Sequence, residues 1–167
     1  MAVITAMGTV MLPRMTAELH AGNREKALDL LQGSIGAMLA MAFALMFGII
    51  AIAPEFAPVF LGDQFASCWS LMSVLAVIIP IVSMTNVLGR QYLLPTDRDK
   101  LFTISVCVGA VVNICCNIVL IPHFAAMGAA ISTVCAELAV LIAQVVMTHK
   151  ELPLLRYLKN SLPFIVC

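Results

Sequence analysis

The chain has 167 residues, 62% of them hydrophobic and 11% charged, with a mean hydropathy of +1.06. Soluble globular domains lie near 45–50% apolar and about 25% charged, so an ordinary soluble domain is excluded. Nine basic and nine acidic side chains cancel, which gives no argument for a nucleic-acid partner, and none is expected.

Taken in order, residues 2–12 are apolar but would extend only about 17 Å as a helix, too short to cross a hydrocarbon core of about 30 Å. They carry no basic flank and do not read as a signal peptide. Leu12 to Gln32 reads as a polar connection. Within it NREKALDLLQ suggests a short interfacial amphipathic helix capped by Asn23. Residues 34–53 form the first full span. Gly36, Ala40, Ala44 and Gly48 recur in it at four-residue intervals, a face on which another helix can approach closely. An outer loop with two prolines and Trp69 follows, the aromatic ring suiting the membrane interface.

The second span, 69–94, is interrupted by Pro80, which removes one backbone donor and bends a helix. Its last half carries Ser83, Thr85, Asn86 and Gln91, so that half is expected to face protein or water. Spans 101–121 and 125–147 make a hairpin closed by Pro122, His123 and Phe124. Beyond it THKELPLLRYLKN reads as an amphipathic stretch, and 161–167 opens a further apolar run. The expected architecture is therefore all-α: a polytopic membrane helical bundle of four full transmembrane helices with partial helices at both ends.

The basic residues fall in three groups, around Arg14 to Lys26, Arg90 to Lys100 and Lys150 to Lys159, and the two connections between them have none. That alternation places the basic connections in the cytoplasm and the loops around Asp63 and His123 outside. The six cysteines show no CxxC or zinc spacing and read as small apolar fillers. No metal, cofactor or catalytic constellation is expected.

Three polar residues stand in the hairpin. At 1.5 Å per residue, Asn113 lies about 18 Å from the cytoplasmic start of its helix. Glu137 lies about 15 Å from the cytoplasmic end of the next, antiparallel one. Both fall near the midplane, with Asn117 one turn further out on the face of Asn113 and Thr133 on the face of Glu137. An ionisable group at the midplane costs about 2.5–3.5 kcal/mol or more and is a functional candidate by default. Glu137 is therefore read as a group that binds a proton, a cation or a charged substrate in a wet cavity. The asparagines read first as interhelical glue. The candidate pathway residues are Glu137, Asn113, Asn117, Asn86 and Thr133.

The runs GTVMLPRM (8–15), NVLGRQYLLP (86–95) and VNICCNIVLIPHFAAMGAAISTVCAE (112–137) resemble the polysaccharide-flippase branch of the multidrug/oligosaccharidyl-lipid/polysaccharide exporter superfamily. The resemblance is to the second-half portion of such a protein. It implies a bacterial inner-membrane transporter of two helical bundles, of which this chain supplies part of the second and lacks the first. It also implies flipping of undecaprenyl-diphosphate-linked oligosaccharide by alternating access, within membrane lipid and with H+ or Na+ as a possible driving ion. The resemblance further implies a cationic site for the diphosphate, for which Arg14 and Arg90 at the cytoplasmic mouth are the candidates, unless the first bundle supplies it. A cation-coupled multidrug antiporter of the same superfamily, and a truncated fragment that does not transport, are the alternatives.

Overall fold

The computed structural model describes residues 2–62, 64, 67–149, 151 and 152, all of its regular structure helical. Helix α1 (Ala2–His20) passes through Pro13 and ends on Gly22, whose φ of 76° suits glycine. The Asn23 amide returns to the Glu18 carbonyl at 2.9 Å, closing the end of the helix with the left-handed glycine turn common at helix C-termini. The expected polar connection from Leu12 is thus helical up to His20, and only residues 21–23 turn.

Helix α2 (Arg24–Phe56) then runs unbroken and continues as a π-helical turn, Ala57–Leu61. The amphipathic stretch after Asn23 is not a separate interfacial helix, since nothing between it and the apolar span breaks the backbone ladder. Asn23 occupies the cap position, but its side chain makes no cap bond and donates instead to Glu18 Oε2 at 3.0 Å.

The next crossing is bent as the proline predicts. Helices α3 (Cys68–Ala76) and α4 (Ile78–Asn86) meet at Val77, and Pro80 has no N–H to offer the Ala76 carbonyl four residues earlier. α4 passes into a π-helical segment, Val87–Leu93, in which every residue but Arg90 is buried.

The last element, α5 (Asp99–Thr148), contains one non-helical residue, Ala125, at φ 47° and ψ −123°. It folds back there into two antiparallel arms, 99–124 and 126–148. A Cβ on Gly109 would meet Val140 and the Ala136 carbonyl, and one on Gly128 would meet the Leu120 carbonyl. Gln144 Nε2 donates to Ser105 Oγ at 3.2 Å between the same arms. The expected hairpin is present, but the first arm stays helical through Pro122, His123 and Phe124, and the reversal is confined to Ala125. The partial span at 161–167 lies outside the described residues.

Among the described residues, three helical stretches are long and apolar enough to cross a membrane: Arg24–Phe60, Cys68–Leu93 and Asp99–Thr148, the last doubled on itself. The tightest packing joins α1, α2 and the α4–π crossing, where Met15, Leu31, Ile35, Met38, Leu88 and Leu93 are almost fully buried. The hairpin arms instead turn Ile118 (70% exposed) and Ile142 (61%) outward, as lipid-facing helices do. Arg24, Arg98 and Glu151 gather at one end of the bundle, far from the Ala125 turn. The first two basic connections therefore share a side, as their spacing in the sequence implies, while the basic residues of the third, Lys150, Arg156 and Lys159, lie outside the described residues.

Candidate functional site

The hairpin contacts fix the heights of its polar residues. Between the Gly109–Val140 and Gly128–Leu120 contacts, Asn113 on the first arm stands level with Glu137 on the second, and Asn117 stands level with Thr133. Four-residue spacing puts Asn113 and Asn117 one turn apart on the first arm, and Thr133 and Glu137 one turn apart on the second. Asn117 Nδ2 donates to Asn113 Oδ1 at 2.9 Å, which joins the two amides, while Asn117 Oδ1 is buried without a hydrogen bond. The Thr133 hydroxyl is spent on the Ala129 carbonyl of its own helix, 2.9 Å away. Glu137 is half-buried, and no hydrogen bond joins it to either asparagine among the described residues.

The bent crossing passes the same level. Gly89 packs against Phe102 and Gln144. Counting equally far from that contact along both helices, at 1.5 Å per residue, brings Asn113 level with Ile78, beside the Val77 break. The shared rung thus holds an amide pair, a carboxylic acid and a backbone carbonyl that proline has deprived of its donor. Such a set can accept hydrogen bonds from sugar hydroxyls or ligate a cation. Broken helices supply this kind of polar backbone at midplane sites of transporters.

Asn86 is not part of the rung. It lies about 12 Å nearer the basic end by the same count, with Nδ2 at 3.4 Å from the Val82 carbonyl and Oδ1 buried and unpaired. Arg14, on α1, and Arg90, on the π segment, are both exposed.

Two polar ties at the basic end were not singled out from the sequence. Ser34 Oγ donates to Gln91 Oε1 at 2.6 Å and Gln91 Nε2 approaches Met38 Sδ at 3.2 Å, linking α2 to the π segment. Glu151 accepts from the Tyr92 hydroxyl at 2.7 Å and pairs with Arg98 at 2.7 Å, fastening the end of α5 to that segment. Gln91 belongs to the polar half of its span already expected to face protein or water, and Gln144 carries the same signal as Glu137, a lone polar residue in an apolar run. The partners of Gln91 and Glu151 are remote in sequence and carried no such mark.

A family model described as Lipid II flippase MurJ matches residues 2–163 of the chain. The chain belongs to the MurJ family. This family lies within the exporter superfamily that the motifs imply, and its members are flippases of lipid-linked precursors, transporters rather than enzymes. A MurJ-family chain is a multi-pass protein of the inner membrane, in keeping with the three long apolar helical stretches. No curated protein and no solved structure matches the chain.

Proposed function

We propose that this MurJ-family chain moves an undecaprenyl-diphosphate-linked saccharide from the inner to the outer leaflet by alternating access. The midplane rung would serve as part of its polar pathway. The observation that carries this reading is the shared level of Glu137, Asn113 and the Val77 break. Three independent sequence features, an acid, an amide pair and a proline-broken helix, converge at a depth where each alone is costly. The family description favours the lipid II type of head group, a peptidoglycan precursor; a polysaccharide repeat unit on the same carrier has the same anchoring chemistry.

In this mechanism the sugar hydroxyls replace water by bonding to Asn113, Asn117 and the freed backbone carbonyl, while the isoprenoid tail stays in lipid. Glu137 holds the H+ or Na+ whose release on one side resets the cycle. Asn86, with its unpaired buried oxygen, lies on the way in from the basic end. Arg14 and Arg90, both exposed, attract the diphosphate to the mouth.

Depletion of the protein from cells tests the substrate. The expected result is accumulation of lipid-linked precursor in the inner leaflet, with its outer-leaflet pool falling at least tenfold and returning when the protein is restored. Unchanged precursor distribution with increased sensitivity to exported drugs would instead establish the antiporter that the same carboxylate could serve.

A further inference from the structure

A cavity of about 250 Å³ opens at the basic end, where the close of α1, the start of α2, the π segment and the residues beyond α5 come together. The exposed Arg24 and the partly exposed Arg98 stand at its mouth, and Met15, Leu19 and Leu28, which pack into the core, at its base. Glu151 also lines it, but both of its oxygens are engaged, one by Arg98 and the other by the Tyr92 hydroxyl, each at 2.7 Å. A guanidinium has five N–H donors, so Arg98 keeps most of its own. Arg24 has no ion pair and no side-chain hydrogen bond among the described residues. Two guanidiniums against one carboxylate leave the cavity a single net positive charge. Two helices also begin beside it, α2 at Arg24 and α5 at Asp99. Neither has a side-chain cap, so their unbonded N–H groups add positive potential.

We propose that this cavity holds the phosphate of an anionic glycerophospholipid from the leaflet on the basic side. A phosphodiester carries one negative charge, which cancels the one positive charge of the cavity, and its oxygens suit the forked donors of guanidinium groups. The volume favours a head group over a whole soluble ligand, since drug-sized molecules fill about 300–1,000 Å³. The tails therefore lie outside. Leu28 stands one turn, about 6 Å, further into the bundle than Arg24. That matches the thickness of one head-group layer, about 5–8 Å. The guanidiniums are thus level with lipid phosphates, and the leucines with the start of the acyl chains. Bound there, the phosphate bridges the start of α2 and the turn before α5. The site is separate from the midplane rung and does not depend on the flippase reading.

The test uses the full chain, purified in a non-ionic detergent and mixed with equal amounts of phosphatidylglycerol and phosphatidylcholine. Native mass spectrometry counts the lipids that stay bound. Phosphatidylcholine is the reference, because its choline cation meets the same guanidiniums. Phosphatidylglycerol is expected to be retained in preference, and Arg24→Gln to weaken its binding about fivefold, as for the loss of one cation beside lipid phosphates. Arg24 is exposed and leaves no partner stranded, so this variant should fold as the parent does. Lys26→Gln removes an equal charge from the same turn but outside the cavity, and retention is expected to stay unchanged. Equal retention of the two lipids, or parental retention by Arg24→Gln, overturns the site. Equal losses in Arg24→Gln and Lys26→Gln would mean a diffuse basic surface and overturn it too. Millimolar inorganic phosphate is expected to leave phosphatidylglycerol bound. Displacement by phosphate would assign the cavity to a soluble anion and overturn the lipid.

Discussion

Gly128 and Gly33 show how differently one residue type behaves at two places. A Cβ at Gly128 would lie 2.3 Å from the Leu120 carbonyl oxygen, a backbone atom that cannot rotate away. Gly128→Ala should therefore force the arms apart and cost about 1–3 kcal/mol, seen as a lower unfolding temperature in detergent. Gly33 has nothing within 4 Å of its missing Cβ and sits inside α2, so Gly33→Ala should stabilise by about 0.5–1 kcal/mol. Equal effects of the two substitutions would contradict the described packing. Ala125 is the converse case, a side chain held at φ 47°. Ala125→Gly relieves a conformation of the kind that costs about 1–3 kcal/mol and should raise the unfolding temperature, whereas Ala125→Val should lower it.

The legible and illegible parts of the chain divide along the same physical line. The level of Asn113 and Glu137 came from helix rise alone, because an antiparallel hairpin leaves little freedom in register. Local rules also placed the bend before Pro80. The continuity of α2 is not legible because the charged side chains of residues 23–32 mark a polar connection, while the helical backbone runs on unchanged from polar to apolar side chains. Reversal at Ala125 was missed because Pro122 is the stronger turn signal, although a helix tolerates it in lipid when neighbours satisfy the backbone.

Among elements, the π segment Val87–Leu93 gathers the ties that close the basic end. Gln91 binds α2 through Ser34, Gly89 admits the hairpin, and Tyr92 meets Glu151 beyond the last turn of α5. The Tyr92 hydroxyl and then the Arg98 guanidinium hold the Glu151 carboxyl below its ordinary range. A carboxylate favoured in the folded state stabilises fully above its unfolded value of 4.5, and that contribution is lost as pH falls through the lower folded value. The unfolding temperature of the parent should thus exceed that of Glu151→Gln at pH 7, with the difference vanishing in strong acid. A difference that grows on acidification would contradict the ion pair. These ties are beyond sequence reading because Ser34 and Gln91, or Tyr92 and Glu151, lie in different elements and become partners only once the bundle has formed.

For the whole molecule, the gathering of Arg24, Arg98 and Glu151 at one end requires that the Ala125 reversal lie across the membrane from them. Single cysteines at Lys100 and His123, in a background freed of reactive thiols, should label with an impermeant maleimide from opposite sides of sealed vesicles. Labelling from the same side would remove the hairpin as a pair of crossings. The account's central claim concerns the carboxyl group held between such ends, and Glu137→Gln tests it most directly. Gln keeps the size of Glu and can still accept a hydrogen bond, but it takes up no proton and carries no negative charge to hold a cation. In vesicles carrying equal amounts of correctly inserted protein, precursor flipping by Glu137→Gln should fall at least tenfold. Flipping at the parental rate would contradict the claim.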